Sequence, residues 1–175
     1  MQKEQDNIIP VLLGADLNCY TMARAFYEAY GAFSYAFGKT ALGPTRGSRF
    51  IRFRAVPALG DPSVCLRVLL DFAARMRGRG RLFLLPCTDE YAYFLIDRQA
   101  QLRRDYLLSV PPRTFLSYFE KDAFLAACTR YDIPCPETIL LSALPDASAL
   151  TSALAHLGLP VIIKPSNSRT YWHLF

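Results

Sequence analysis

The strongest constraint on this chain's fold is its regular alternation of short apolar runs with stretches of helical periodicity. "IIPVLLGAD" (Ile8 to Asp16) is apolar up to a glycine, as a strand covered on both faces of a parallel sheet is. "LNCYTMARAFYEAYG" then spaces Leu17, Tyr20, Ala23 and Tyr27 along one helical face, and Gly31 ends it. "FSYAFG" reads as a second strand, followed by the loop "KTALGPTRGSR". "FIRFRAV" alternates apolar and basic residues, the pattern of a half-exposed or edge strand. Asp61-Pro62 is a helix start, an N-cap followed by proline at the first helical position. Val64, Val68, Phe72 and Met76 mark its face, and Gly78 and Gly80 stop it. "RLFLLPC" is a further buried strand. Thr88 is expected to cap a helix through "DEYAYFLIDRQAQL", and "YLLSV" is a short strand cut off by Pro111-Pro112. This order predicts an α/β, Rossmann-like, mostly parallel sheet with right-handed crossovers and helices on both faces.

Pro111-Pro112 divides the chain into a first domain, residues 1–111, and a second unit, residues 112–175. In the second, "FLSYFEKDAFLAACTRYD", "IPCPETILL", "DASALTSALAHLG" and "PVIIKP" read as helix, strand, helix and strand. Two such strands cannot bury a sheet of their own, so a unit interrupted within its fold is expected.

With 175 residues, the chain has room for one full domain and part of another. It is 52% hydrophobic and 20% charged, which argues against disorder. Its apolar runs are far shorter than the roughly 20 residues of a membrane helix. The start "MQKEQDN" lacks the apolar core of a signal peptide, so the expectation is cytoplasmic. The net charge of +5 includes the cluster "RMRGRGR" (Arg75 to Arg81), which suits a solvated helix end. A nucleic-acid patch would need stacking aromatics that are not there. The five cysteines, Cys19, Cys65, Cys87, Cys128 and Cys135, form no C-x-x-C pair and read as reduced core thiols rather than metal ligands.

Three constellations bear on function. In "LGADLN", Gly14 turns the chain beyond the first strand, and ligands of open parallel sheets bind beyond strand carboxyl ends. Asp16 or Asn18 is first a helix N-cap there and second a substrate contact. "PCTDEY" (Pro86 to Tyr91) ends the fourth strand. Thr88, Asp89 and Glu90 are ordinary helix-start residues, or Thr88 and Asp89 face the same crevice as Gly14. Arg46 and Arg49 read as solvated loop residues, or as a rim attracting an anionic substrate to that opening. Finally, Lys121 opens a helix, where a cation is unfavourable without an anion to meet, and Lys164 ends a strand-like run. Each alone is a solvated lysine; together they suit a polyphosphate.

"KDAF", "YDIPCPET" and "LPVIIKP" resemble the start of the ATP-grasp fold. "PVLLGADLNCYTMARAFYEAYG" and "LFLLPCTDEYAYFL" look like the pre-ATP-grasp domain of carboxylate–amine ligases, and with "KPSNSRTYW" they are most similar to the D-aspartate ligase branch, which modifies peptidoglycan precursors. The resemblance implies ATP-dependent, ADP-forming amide synthesis through an acyl phosphate, with small-molecule carboxylate and amine substrates, neither nucleic acid nor a membrane span, and homo-oligomers as one option. It implies that Lys121 and Lys164 contact ATP phosphates, with Ser166 and Ser168 supplying hydrogen bonds, and that the first domain serves the substrates through Gly14, Asp16, Asn18, Thr88 and Asp89. The Mg²⁺ ligands, the adenine-binding linker and the catalytic residues are expected beyond Phe175. Glu137 and Asp146 are the only acids after Asp132, and they read as turn or cap residues. Two departures from the family pattern stand out. Asp132 replaces the usual glycine before Ile133-Pro134, and the stretch after Pro165 lacks phosphate-loop glycines.

Two other readings compete. A dinucleotide- or nucleotide-sugar-binding Rossmann domain would carry G-x-G-x-x-G in the first turn and an acid after the second strand, where this chain has "GADLN" and Lys39. A non-catalytic interaction module would use the sheet as scaffold and the arginines as a partner surface.

Overall fold

The structure, a computed structural model, describes residues 7–141 and 146–166. The chain packs as two units, residues 1–113 and 114–175. The first is a five-stranded sheet of β1 (Ile8–Leu13), β2 (Ser34–Gly38), β3 (Ile51–Ala55), β4 (Arg81–Pro86) and β5 (Tyr106–Leu108). Its order is β3-β2-β1-β4-β5, and every neighbouring pair is parallel. The expected mostly parallel α/β sheet is thus met, with five strands that are all parallel.

Central position accounts for the continuous apolar run of β1. Its neighbours β2 and β4 pair with it on both sides, Leu12 facing Ala36 in one register and Leu85 in the other. Ile9, Val11 and Leu13 point to one face, where α2 (Pro62–Met76) and α3 (Asp89–Leu102) bury Cys65, Leu69, Phe72, Leu95 and Leu102. Leu12 points to the other, covered by α1 (Leu17–Tyr30) through Cys19 and Ala23. The alternate sides follow from strand geometry, in which successive side chains leave opposite faces. β3, the alternating "IRFRA", is an edge strand with one face wet.

Helix starts and stops are local. Asp16 caps α1 by accepting from the Cys19 amide, and Gly31 closes it in the left-handed conformation. Asp61 caps α2 by accepting from the Ser63 and Val64 amides, with Pro62 at the first helical position. Some details differ from the periodicity. Leu17 is exposed, and Cys19 takes the buried position in the first turn of α1. On α2 the deepest residues are Cys65 and Leu69, so the buried face is centred one position later than the Val64–Val68 row. Thr88 occupies the N-cap position of α3, but its hydroxyl makes no capping bond. The β2–β3 crossover carries no α-helix. Instead Thr45, a buried loop residue, donates its hydroxyl to the Ala15 and Leu42 carbonyls.

In the second unit a 3₁₀ helix (Arg113–Phe119) leads to α4 (Lys121–Arg130), and α5 (Ala147–Leu157) starts on Asp146, which accepts from the Ala149 amide. The strands expected in residues 133–141 and in "PVIIKP" are not formed; Ile162 and Ile163 are each 81% exposed. A strand needs a ladder partner for its amides and carbonyls, and among the described residues neither segment has one. Asp132 has a φ of 54°, so the turn after α4 takes the left-handed conformation that a glycine adopts freely.

Candidate functional site

The order of the sheet reverses beside β1. β2 and β3 are added on one side, β4 and β5 on the other, so the connections diverge at the carboxyl ends of β1 and β4, the place where ligands of open parallel sheets bind. Leu13, the last residue of β1, stands opposite Phe37 and Pro86, so the turns that follow meet at one edge.

Gly14 makes this meeting possible. Its amide donates to the Phe37 carbonyl at 2.9 Å, its φ is +149°, and a Cβ there would lie 2.7 Å from the Cβ of Cys87. The Cys87 amide in turn donates to the Leu13 carbonyl at 2.8 Å. Asn18 ties the two turns together, donating to the Cys87 carbonyl at 3.3 Å and to the Asp16 carboxylate at 3.2 Å. Gly14, Asp16, Asn18, Thr88 and Asp89 therefore lie along one edge. Asp16 and Asn18 spend polar atoms on capping and turn-locking, whereas Thr88 and Asp89 are exposed.

Beneath this edge Cys87, Cys65 and Tyr91 are held in their neutral forms. A hydrogen bond with Cys19, then burial, pushes the Cys87 thiol far above its ordinary range. Burial pushes the Cys65 thiol up to about 12, with Glu90 adding to it, and raises the Tyr91 phenol. Formal charge at the opening comes from exposed groups. One such pair escapes a sequence reading: Lys39, just after β2, approaches Glu90, in the first turn of α3, at 3.9 Å. A lysine after a strand and an acid in a helix's first turn are each unremarkable in sequence, and only the fold brings them together. Cys135 is exposed, contrary to the reading of all five cysteines as core thiols, because its segment lies in the unpaired stretch after α4. Arg49 precedes β3 and so stands at the amino end of the parallel sheet, not at this edge. It lies over the Tyr27 ring where β3 begins, beside a cavity of about 380 Å³ floored by Tyr20, Tyr27 and Phe50.

In the second unit, both the backbone amide and the side chain of Lys121 donate to the carbonyl of Ser166, at 3.3 and 3.2 Å. The start of α4 thus holds the segment that carries Lys164, which is exposed. Ser168 lies outside the described residues. Among the described residues no group of three His, Cys, Asp or Glu side chains is arranged to hold a metal ion.

No family model matches the chain. A protein described as D-aspartate ligase, from Enterococcus faecium (strain Aus0004), is 33% identical over 174 residues, a match that takes in 96% of this chain. The chain is related to a D-aspartate ligase. It spans 41% of that enzyme's length. The relationship bears out the resemblance read from the lysine motifs and the two strand-end turns. No described helix is long and apolar enough to cross a membrane.

Proposed function

We propose that the chain is the portion of an ATP-dependent carboxylate–amine ligase that carries the substrate-side domain and part of the nucleotide clamp, acting on D-aspartate in peptidoglycan precursor synthesis. Such a ligase transfers the γ-phosphoryl group of ATP to a substrate carboxylate oxygen, releasing ADP. The amine then attacks the acyl carbon, and phosphate leaves as the C–N bond forms. Positioning and charge neutralisation dominate phosphoryl transfer, so paired cations at a fixed separation are what the chemistry demands.

The observation that carries the reading is the double hydrogen bond from Lys121 to Ser166, two residues beyond Lys164. It draws a helix-opening lysine to the segment bearing a second, exposed lysine. Lys121 directs a hydrogen bond at a neutral carbonyl; a phosphate oxygen is the stronger acceptor. Ser166 offers a hydroxyl beside them. The residues therefore fit phosphate, and the described residues do not fit Mg²⁺, whose ligands the resemblance assigns beyond Phe175.

The test is nucleotide binding by calorimetry to the full-length protein and its variants. Hydrogen bonds to charged groups are worth about 1.5–3 kcal/mol, so Lys121→Ala and Lys164→Ala should each weaken ATP binding roughly tenfold to a hundredfold. Unchanged affinity and unchanged ADP release in both variants would remove the assignment.

A further inference from the structure

The ion pair of Lys39 with Glu90 crosses the sheet where its strand order reverses. Lys39 follows β2 and Glu90 stands in the first turn of α3 after β4, and these two strands flank β1. Two strand spacings, roughly 9.6 Å, therefore separate the backbones from which the side chains reach. They meet at 3.9 Å with 54% and 58% of their side chains exposed. A long, wet pair of this kind contributes about 0–1 kcal/mol to a fold, so little stability is lost when a ligand separates it.

A third loop approaches the same ammonium. Gly60, in the turn before α2, has no side chain, and a Cβ there would stand 2.7 Å from the Lys39 Cε and 2.8 Å from its Nζ. The position is also 3.6 Å from the Glu90 carboxylate. Three connections from different strands thus converge on one cation and one anion. Near Glu90, burial holds the Cys65 thiol and the Tyr91 phenol neutral, and the Glu90 charge adds to both shifts.

From this juxtaposition we propose that Lys39 and Glu90 form a binding site for a zwitterionic amino acid, Lys39 taking the carboxylate and Glu90 the ammonium. A loose pair of opposite charges at the carboxyl ends of the strands matches a ligand bearing both charges on one carbon, which replaces one weak contact with two charge-assisted ones. The choice of D-aspartate as the first ligand rests on the ligase reading given above; the site itself rests on Lys39, Gly60 and Glu90.

Amide chemical shifts of the ¹⁵N-labelled chain, titrated with D-aspartate to about 10 mM, test this without nucleotide or turnover. Glycine, N-acetyl-D-aspartate and methylamine serve as comparison ligands. Shifts at Lys39, Gly60 and Glu90 are expected with D-aspartate and glycine, and at least tenfold weaker binding with the two ligands that lack one of the two charges. K39Q and E90Q should each lose binding by about tenfold or more. G60A, whose Cβ displaces the lysine, should weaken it while the spectrum stays dispersed. No shift with any ligand, equal binding of all four, or undiminished binding by folded K39Q and E90Q would each overturn the site and identify an ordinary surface pair. Calorimetry with ATP on the full-length protein reports separately on the lysines of the second unit, so the two proposals fail independently.

Discussion

Replacing Gly14 with alanine should destabilise the first unit more than the same change at Gly31 does. Two costs add at this position. The φ of +149° is one that L-residues rarely adopt, a strain of about 1–3 kcal/mol. The new Cβ would also stand 2.7 Å from that of Cys87, where backbone or side chain must move, an overpacking cost of about 1–3 kcal/mol. The sum, about 2–6 kcal/mol, is a large fraction of the 5–15 kcal/mol typical of a domain. Gly31→Ala is the control. Its φ of +65° is also left-handed, but nothing lies within 4 Å of the added Cβ, so only backbone strain of about 1–2 kcal/mol applies. Native-state hydrogen exchange at the Leu12 and Leu85 amides, in the central strands, reads the opening free energy of this unit directly. Cys87→Gly removes the colliding atom, so the double variant should recover about 1–3 kcal/mol relative to the sum of the singles. If Gly14→Ala costs no more than Gly31→Ala, or shows no coupling to Cys87→Gly, the close approach of the two strand-end turns has been misjudged.

At Asp132, φ 54°, valine should destabilise the end of α4 by about 1–2 kcal/mol more than glycine does, seen as faster amide exchange in that helix; equal effects would show that the turn does not demand a left-handed residue. Stability should fall as pH rises above about 9. The Cys65 thiol, ordinarily titrating near 9.0, is pushed up to about 12 in the fold, so its neutral form is fully compatible with folding below 9. Between those values the unfolded chain ionises first, and each pH unit removes up to about 1.4 kcal/mol. A urea midpoint unchanged between pH 7.5 and 10.5 would contradict this. The 175-residue chain alone should release no ADP from ATP in the presence of D-aspartate and an amine acceptor, whereas the chain extended toward the length of its relative should. Equal rates for the two would place the catalytic groups within this chain.

Much of the candidate edge is legible in the sequence because it is built from local signals. Gly14 and Asp16 follow an apolar run, and Thr88 and Asp89 follow another, so the residue pattern alone places both turns at strand carboxyl ends. Lys121 and Lys164 are visible as cations at a helix start and at the end of a strand-like run. The Lys39–Glu90 pair is not legible, since neither residue departs from what loops and helix starts ordinarily contain. Thr45 sits in a glycine- and proline-rich loop that reads as solvated, and its burial depends on the Ala15 carbonyl, thirty residues earlier.

The sequence by itself determined where helices begin and end, because Asp16, Asp61, Asp146 and Gly31 act on amides and carbonyls within a turn of themselves. It also determined which runs seek burial on both faces, and so the central place of "IIPVLL" and the edge character of "IRFRA". Tertiary structure alone decided that β4 pairs with β1. Parallel ladders join segments far apart in the chain, and no local periodicity encodes which apolar run lies beside which. The same long-range pairing brings Cys87 against Gly14 and Lys39 across to Glu90. It also decides the opposite outcome for "PVIIKP": an apolar run becomes a strand only when a neighbour completes its hydrogen bonds, and among the described residues of its unit none does.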